Sequence, residues 1–184
     1  LRNKLNSDEE SVLRPLDRIQ RQVTNMENII EALLWLSREE ISPDNIKIFS
    51  VLPLVRDILE ENRRNIVGKS IDINLVTRGN PVLSVPAPLF QIALTNLIQN
   101  AVRYTSDGHI TVYVHDDRVL VSDTGSGIKG TDLDKITQPH FRGTGSDGFG
   151  LGLSLVKRLC VRLGWQFEIE SEVDCGTTVH MIFK

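Results

Sequence analysis

Apolar side chains in the N-terminal part of the chain recur at alternating intervals of four and three residues. The positions are Val12, Leu16, Ile19, Val23, Met26, Ile30 and Leu33. This heptad pattern predicts a helix that packs against another helix, in a hairpin or in a dimer. An ordinary amphipathic helix lying on a globular core is the alternative interpretation. Leu1–Leu5 would be the end of a preceding helix, and Ser42-Pro43 is expected to close the segment.

After Pro43 the pattern changes to a mixture of helices and strands. The predicted helices are Val51–Ile66, Leu89–Arg103 and Leu151–Leu163, with at most a short one at Asp132–Ile136. The predicted strands are Ile71–Val76, Val82–Val85, His109–His115, Arg118–Val121, Trp165–Ser171 and Thr177–Phe183. Because the strands do not alternate one-for-one with helices, we expect an α+β fold with antiparallel strand pairs. The change of pattern predicts two domains, residues 1–42 and residues 43–184.

Composition excludes several classes of protein. The 184 residues are 40% hydrophobic, which is enough for one real core. A net charge of −3, with Lys and Arg spread along the chain, predicts no nucleic-acid partner. No apolar run reaches the ~18 residues of a membrane span and no signal peptide stands at the start, so we expect a soluble piece of a larger protein without membrane contact. Cys160 and Cys175 lack metal-ligand spacing and suit a reducing cytosol.

Glycine is concentrated between Gly143 and Gly152, where five of the ten residues are glycine. Such density indicates backbone that closely approaches a ligand, often a phosphate. Gly143, Gly145 and Gly148 satisfy the dinucleotide-binding pattern G-x-G-x-x-G, but that pattern needs a strand before it. The preceding segment, TQPHFR, is poor strand material, and no P-loop pattern is present. Both common phosphate loops are therefore poor interpretations.

A second glycine motif follows a predicted strand. Asp123 ends the strand, and Gly125 and Gly127 form a turn directly after it. A carboxylate there can accept hydrogen bonds from an amino group, while glycine lets a ligand ring lie flat against the backbone. A plain surface turn is the alternative interpretation.

The third motif is a polar stripe on a strongly apolar predicted helix. Asn96, Asn100 and Arg103 lie at i, i+4 and i+7, so they share one face. Buried amides cost free energy unless they have partners. An amide oxygen can ligate Mg²⁺, and an arginine one turn on can face a phosphate. Alternatively, the two amides cap neighbouring loops.

The three motifs occur together and in order, and in this the chain resembles a known family. It is similar to the ATP-binding region of sensor histidine kinases, of the superfamily that also contains gyrase, Hsp90 and MutL. NLIQNAVRYT resembles the N box, DTGSGI the first glycine box, PHFRG the Phe box, GFGLGLSLVK the second glycine box and CGTTVHMIF the terminal strand. The resemblance covers Phe49–Lys184 and implies a two-layer α/β sandwich of the Bergerat type. More weakly, the heptad helix is similar to the second helix of a dimerisation and phosphotransfer hairpin.

The resemblance implies ATP and Mg²⁺ as ligands and gives each matching residue a role. Asp123 would bind the adenine amino group, with Thr177 supporting it and Tyr104 flanking the base. The base pocket would be shaped by Gly125, Gly127 and Ile128. Asn100 would ligate Mg²⁺, with Asn96 one turn behind.

Phosphate binding is implied for a further group of residues. Arg103 and Arg142 would balance phosphate charge, and Arg142 to Gly148 would form a lid over ATP. The following helix would offer its free N–H groups to the phosphates. Its candidate binding residues are Gly148, Gly150, Leu151, Gly152 and Leu153.

The family's reaction moves the γ-phosphoryl group to a histidine and then to an aspartate of a response regulator. The resemblance therefore implies a kinase that dimerises through its N-terminal helix and forms the cytoplasmic portion of an inner-membrane sensor. ATP-hydrolysing members carry a glutamate base four residues before the Mg²⁺-binding asparagine, whereas this chain carries Asn96 there. Since an amide cannot accept a proton at neutral pH, the chain resembles a kinase more than a gyrase-like ATPase.

The phosphoacceptor is the main departure from the family pattern. None of His109, His115, His140 and His180 stands in the family's acceptor motif. The acceptor helix is therefore expected to lie outside this chain. A degenerate, kinase-like module that binds ATP and dimerises without phosphotransfer is the alternative hypothesis.

Overall fold

The computed structural model describes Val23, residues 26–64, Ile66, residues 69–137 and residues 152–183. The chain forms two compact units, Leu1–Arg38 and Glu39–Lys184. Within the described part of the first unit, residues 26–37 are helical (α1), and the Arg38 guanidinium lies 4.3 Å from the centroid of the Trp35 ring. The helix ends at Ser37, five residues before Ser42. The assignment of residues 1–42 and 43–184 to two functional domains stays a prediction.

The second unit contains short and long elements in mixed order. A 3-10 turn, Pro43–Asn45, precedes them. The helices are α2 (Val51–Arg64), α3 (Ala87–Tyr104), α4 (Gly130–Leu133) and α5 (Gly152–Leu163). The strands are β1 (Lys47–Ser50), β2 (Ser70–Thr77), β3 (Val82–Val85), β4 (Asp107–Val114), β5 (Arg118–Asp123), β6 (Gln166–Glu172) and β7 (Gly176–Ile182).

Five strands form one sheet in the order β2-β4-β5-β7-β6. The pairs β4–β5, β5–β7 and β6–β7 are antiparallel, as the sequence predicts. The pair β2–β4 is parallel, which differs from the expectation of antiparallel pairs. Parallel neighbours need a crossover connection, and α3 lies in the connection between these strands.

A second, two-stranded sheet pairs β1 with β3. The strand β1 has no counterpart among the predicted elements, because its four residues KIFS are too few to show a period. Through this pairing, Phe49 lies opposite Leu83, and its ring centroid is 6.1 Å from that of Phe90 on α3.

The core lies between one face of the five-stranded sheet and the helices α2, α3 and α5. Strand residues that alternate along the sequence point into it, as period-two patterning requires. The fully buried residues include Ile110 and Met181 from the strands and Leu94, Ile98 and Leu159 from the helices. Burial of each large side chain of this kind contributes roughly 1.5–3 kcal/mol to stability. Two stacked layers result, and the mixed α/β sandwich predicted from the sequence is confirmed.

Aromatic side chains form a cluster within the second unit. The rings of Phe90, Trp165 and Phe183 contact one another, with centroid separations of 4.8 to 6.3 Å and tilted or edge-on geometry. Such edge-on contacts add to the gain from burial. In the described part of the chain, no helix combines the length and the apolar character that crossing a membrane requires.

Candidate functional site

A cavity of about 390 Å³ opens beside the sheet, where several of the motifs converge. Its walls come from α3, the end of β5, the turn after β5, α4 and its flanks, the start of α5, β7 and the β6–β7 turn. The candidate residues that line it are Asn100, Tyr104, Asp123, Gly127, Ile128, Leu153 and Thr177. These residues are up to 77 positions apart in the sequence, between Asn100 and Thr177, and only the fold brings them together.

Asp123 supplies the carboxylate of this cavity. It ends β5, and its Oδ1 accepts a hydrogen bond from the Gly125 N–H at 2.9 Å. Burial raises the pKa of Asp123 above its ordinary value of 3.8, while the Gly125 and Thr177 N–H groups lower it in part. A half-buried carboxylate whose partners are these two backbone N–H groups retains acceptor capacity that a ligand donor can use.

The glycines after Asp123 permit a close approach of backbone segments. Gly127 has φ +62°, a conformation that L side chains rarely adopt, and a Cβ there would collide with the Glu172 carbonyl. A Cβ on Gly125 would likewise meet the Tyr104 carbonyl oxygen, which accepts a hydrogen bond from Ser126 N–H at 3.1 Å. Glycine therefore lets this turn dock on both α3 and β6.

The end of α3 is held by several hydrogen bonds. The Lys69 ammonium donates to the carbonyl oxygens of Val102, Arg103 and Thr105 at 2.6, 3.2 and 2.9 Å. A lysine in this position satisfies carbonyls that the helix itself leaves without partners. Tyr104, the last residue of α3, is 42% exposed and lines the cavity.

The asparagines of the α3 stripe have different surroundings. Asn100 lines the cavity and lies against the start of α5, since a Cβ on Gly152 would be 3.2 Å from its Oδ1. Asn96 is 4% exposed, and its Nδ2 donates to the Ile92 carbonyl at 2.8 Å. Asn96 and Arg103 do not belong to the cavity lining, and Arg103 is exposed.

Part of the predicted phosphate site lies outside the described residues. This applies to Arg142, Gly148, Gly150 and Leu151, and with them to the whole predicted lid. The described helix α5 begins at Gly152, and Leu153 lines the cavity.

Several cavity residues escaped the sequence reasoning. Lys129, Asp132 and Ile136 contribute from α4 and its flanks, and Val173 and Asp174 from the β6–β7 turn. Asp174 has φ +62°, and its N–H donates to the Ser126 carbonyl at 3.0 Å. No periodic signal points to such turn residues, because their place depends on contacts with a distant loop.

The described residues hold no group of three or more His, Cys, Asp or Glu side chains placed to bind a metal ion. Around the cavity, side-chain oxygen atoms come from the amide of Asn100, from Thr177 and from the carboxylates of Asp123, Asp132 and Asp174, and Lys129 contributes a positive charge. Such a donor set suits a polar ligand that brings its own charges and its own metal ligands.

Comparison with known proteins identifies the family. The profile described as histidine kinase-, DNA gyrase B- and HSP90-like ATPase matches residues 86–184, so the chain belongs to this family. The predicted resemblance is thereby confirmed, and nucleotide use is a property of the family's ATPase domain.

Relatives narrow the comparison to sensor kinases. The phosphate regulon sensor protein PhoR of Pseudomonas aeruginosa is 30% identical over 178 residues, which span 90% of this chain and 40% of PhoR. Full-length ShkA in complex with AMPPNP has a TM-score of 0.74 and 21% identity, covering 88% of this chain and 35% of ShkA. The cytoplasmic segment of histidine kinase QseC has a TM-score of 0.64 and 21% identity, covering 85% and 90%. The two structures establish likeness of fold, and none of these relatives supports the degenerate-module hypothesis.

Proposed function

We propose that this chain is the ATP-binding catalytic region of a sensor histidine kinase. It would transfer the γ-phosphoryl group of ATP to a histidine outside the chain, from which it passes to an aspartate of a response regulator. The observation that carries the proposal is the convergence of Asn100, Asp123 and Thr177, each from a different motif, on one cavity. The chain spans 40% of the length of PhoR.

Nucleotide binding follows from the character of the cavity walls. Asp123 would accept hydrogen bonds from the adenine amino group, and Thr177 lies beside it on β7. Ile128 and Leu97 supply apolar contact to a base, and Tyr104 lies at the same cavity. The phosphates would extend toward Asn100 and the start of α5, with Arg103, Arg142 and the glycines Gly148 and Gly150 as further phosphate contacts.

Magnesium fits the side chains that are present. Mg²⁺ is usually held by one or two protein oxygens together with phosphate oxygens and water, and Asn100 offers one amide oxygen at the cavity. The bound ion would supply charge neutralisation for the phosphates. The chain's own task would be to position the nucleotide, which is the main requirement of phosphoryl transfer.

Asn96 favours transfer over hydrolysis. It occupies the position at which hydrolysing members of the superfamily carry their glutamate base. Its amide is buried and donates back to Ile92 of its own helix, so it offers no proton acceptor to a water molecule.

The N-terminal helix is the proposed dimerisation element. The described residues of its apolar seam are 43 to 55% exposed, whereas side chains packed in a core are buried. These residues are Val23, Met26, Ile30 and Leu33. We place the chain in the cytoplasmic portion of an inner-membrane sensor, with a cognate response regulator as its partner. The QseC structure, which is a cytoplasmic segment, supports this location.

A fusion protein tests the proposal. A phosphoacceptor hairpin of the sensor histidine kinase type would replace residues 1–42, and the fusion would be incubated with radiolabelled ATP and Mg²⁺. We expect acid-labile, base-stable label on the hairpin histidine, abolished by Asn100→Ala. Steady phosphate release without histidine label would instead indicate a gyrase-like ATPase, and absence of ATP binding would refute the proposal.

A further inference from the structure

One row of side chains crosses three strands beside the cavity. Asp123 on β5 lies opposite Thr177 on β7, and Thr177 lies opposite Ser171 on β6. Directly opposed residues of an antiparallel pair point to the same face of the sheet, so the three side chains are neighbours. Asp123 and Thr177 line the cavity, while Ser171 does not belong to the lining and is half-buried.

The Ser171 hydroxyl makes three contacts. Its oxygen accepts the Ile128 N–H of the glycine turn at 2.8 Å. It also lies 2.8 Å from the Gly176 carbonyl oxygen and 2.8 Å from the Thr177 Oγ1. All three contacts therefore converge on one oxygen atom.

A hydroxyl has one hydrogen and two acceptor lone pairs, which limits how these contacts can be arranged. The Gly176 carbonyl can only accept, so the Ser171 hydrogen must point to it. The Thr177 hydroxyl must then donate its own hydrogen to Ser171. This is the one arrangement in which every contact is a hydrogen bond. If Ser171 instead donated its hydrogen to Thr177, the oxygen of the buried Gly176 would lose the Ser171 donor.

The arrangement fixes the polarity of the cavity wall. With its hydrogen committed to Ser171, Thr177 presents only acceptor lone pairs to a ligand, and the neighbouring Asp123 carboxylate is an acceptor as well. An exocyclic amino group has two hydrogens to donate, whereas a 6-oxo group in the same place would meet two acceptors. A site built in this way rejects the wrong group through unpaired polar atoms.

We propose that Ser171 is a specificity-determining positioning residue, whose hydroxyl holds Thr177 as a hydrogen-bond acceptor and so selects 6-aminopurine nucleotides over 6-oxopurine nucleotides. The inference rests on the proposed nucleotide site. It adds to that site a residue that would never touch the nucleotide and would act through the direction of one hydrogen bond.

The test compares Mg·ATP with Mg·ITP, which carries an oxo group in place of the 6-amino group. Dissociation constants for both would be measured by calorimetry on the 184-residue chain, and their ratio defines the preference for ATP. Ser171→Ala frees the Thr177 hydroxyl to rotate and donate to the oxo group. We expect the preference to fall about three- to tenfold, the range of one hydrogen bond. Ser171→Thr, which retains a hydroxyl, should restore it.

Two further variants separate this role from simple support of the fold. Ser122→Ala is the matched control, because Ser122 also shares a 2.8 Å hydroxyl contact with a threonine of β7, Thr178, but on the opposite face of the sheet. It should leave the preference unchanged. In a Thr177→Val background, Ser171→Ala should have no additional effect on the preference, since the residue through which Ser171 acts is gone.

The outcomes are distinguishable. Equal weakening of ATP and ITP binding by Ser171→Ala would overturn the inference and leave Ser171 with a structural role only. If Ser171→Ala does not fold, Thr177→Val alone decides, and an unchanged preference there would equally overturn it. Failure of the unaltered chain to bind ATP would refute the proposed function itself.

Discussion

Replacing Asp123 by asparagine should separate nucleotide affinity from stability. The substitution keeps the shape of the side chain and an oxygen that can accept the Gly125 N–H, which donates at 2.9 Å in the parent. It replaces the other carboxylate oxygen by an NH₂ group, which would oppose the adenine amino group donor to donor. Losing a hydrogen bond to a charged group costs about 1.5–3 kcal/mol, which corresponds to a roughly 10- to 150-fold larger dissociation constant for ATP.

The thermal stability of Asp123→Asn should not fall with its ATP affinity, and at neutral pH it should rise. Burial raises the pKa of Asp123 above 3.8, so the folded state binds this proton more tightly than the unfolded chain does. The stability associated with the protonated form is fully present below pH 3.8 and is lost as the pH rises through the folded pKa. At neutral pH the ionised carboxylate therefore destabilises the fold, and an asparagine removes that cost. The thermal midpoint of Asp123→Asn should equal or exceed that of the parent at pH 7, and the difference should shrink toward acid pH.

Calorimetric titration with Mg·ATP measures the affinity, and circular dichroism melts between pH 8 and pH 4 measure the stability. Asp72→Asn is the matched control, because Asp72 is an exposed aspartate on the edge strand β2, outside the cavity lining. It removes the same charge and should leave ATP affinity unchanged. An unaltered dissociation constant in folded Asp123→Asn would refute the adenine assignment, and a lower midpoint than in Asp72→Asn would refute the argument about desolvation.

Three further predictions concern the metal, the glycine turn and the acceptor. Asn100→Ala should weaken Mg·ATP binding more than binding of ATP in EDTA, and equal losses in calorimetry would show a structural amide instead. Gly127→Ala should lower both the thermal midpoint and ATP affinity, because φ +62° and the Glu172 carbonyl oppose a Cβ at a cost of roughly 1–3 kcal/mol; Gly130→Ala, where a Cβ meets nothing within 4 Å, is its control. The chain alone should bind radiolabelled ATP without labelling itself, because none of its four histidines stands in the family's acceptor motif and the ring nitrogens of His180 are buried. Acid-labile label on the chain would show an unrecognised acceptor.

The sequence by itself determined most elements and the family. Strand and helix periods are local properties, and the predicted helices and strands of residues 51–183 that fall on described residues match the observed ones to within a few residues at each end. The turn after Asp123 could also be predicted from the sequence, because the backbone at residue 127 has φ +62°, a local conformation that favours glycine. The family could be predicted from the motifs and their order along the chain.

Tertiary structure decided which members of a motif share a surface. Asn96 and Asn100 share one helical stripe, yet Asn100 reaches the cavity while the Asn96 amide turns back to Ile92. The stripe defines an angular sector of the helix, but the packing of α3 against α5 and the sheet determines which part of that sector remains open. Periodicity alone therefore could not distinguish the two amides.

Pairing between distant segments was decided only by the fold. The parallel register of β2 with β4 follows from the crossover through α3, and Ser171 meets Ile128 across 43 residues of sequence. The sequence did contain one signal, since Ser171 continues the inward-facing series of Phe167 and Ile169 with a polar side chain. Nothing local, however, identifies the three partners of its hydroxyl, because hydrogen bonds between strands depend on register, and register is set by the packing of the whole sheet.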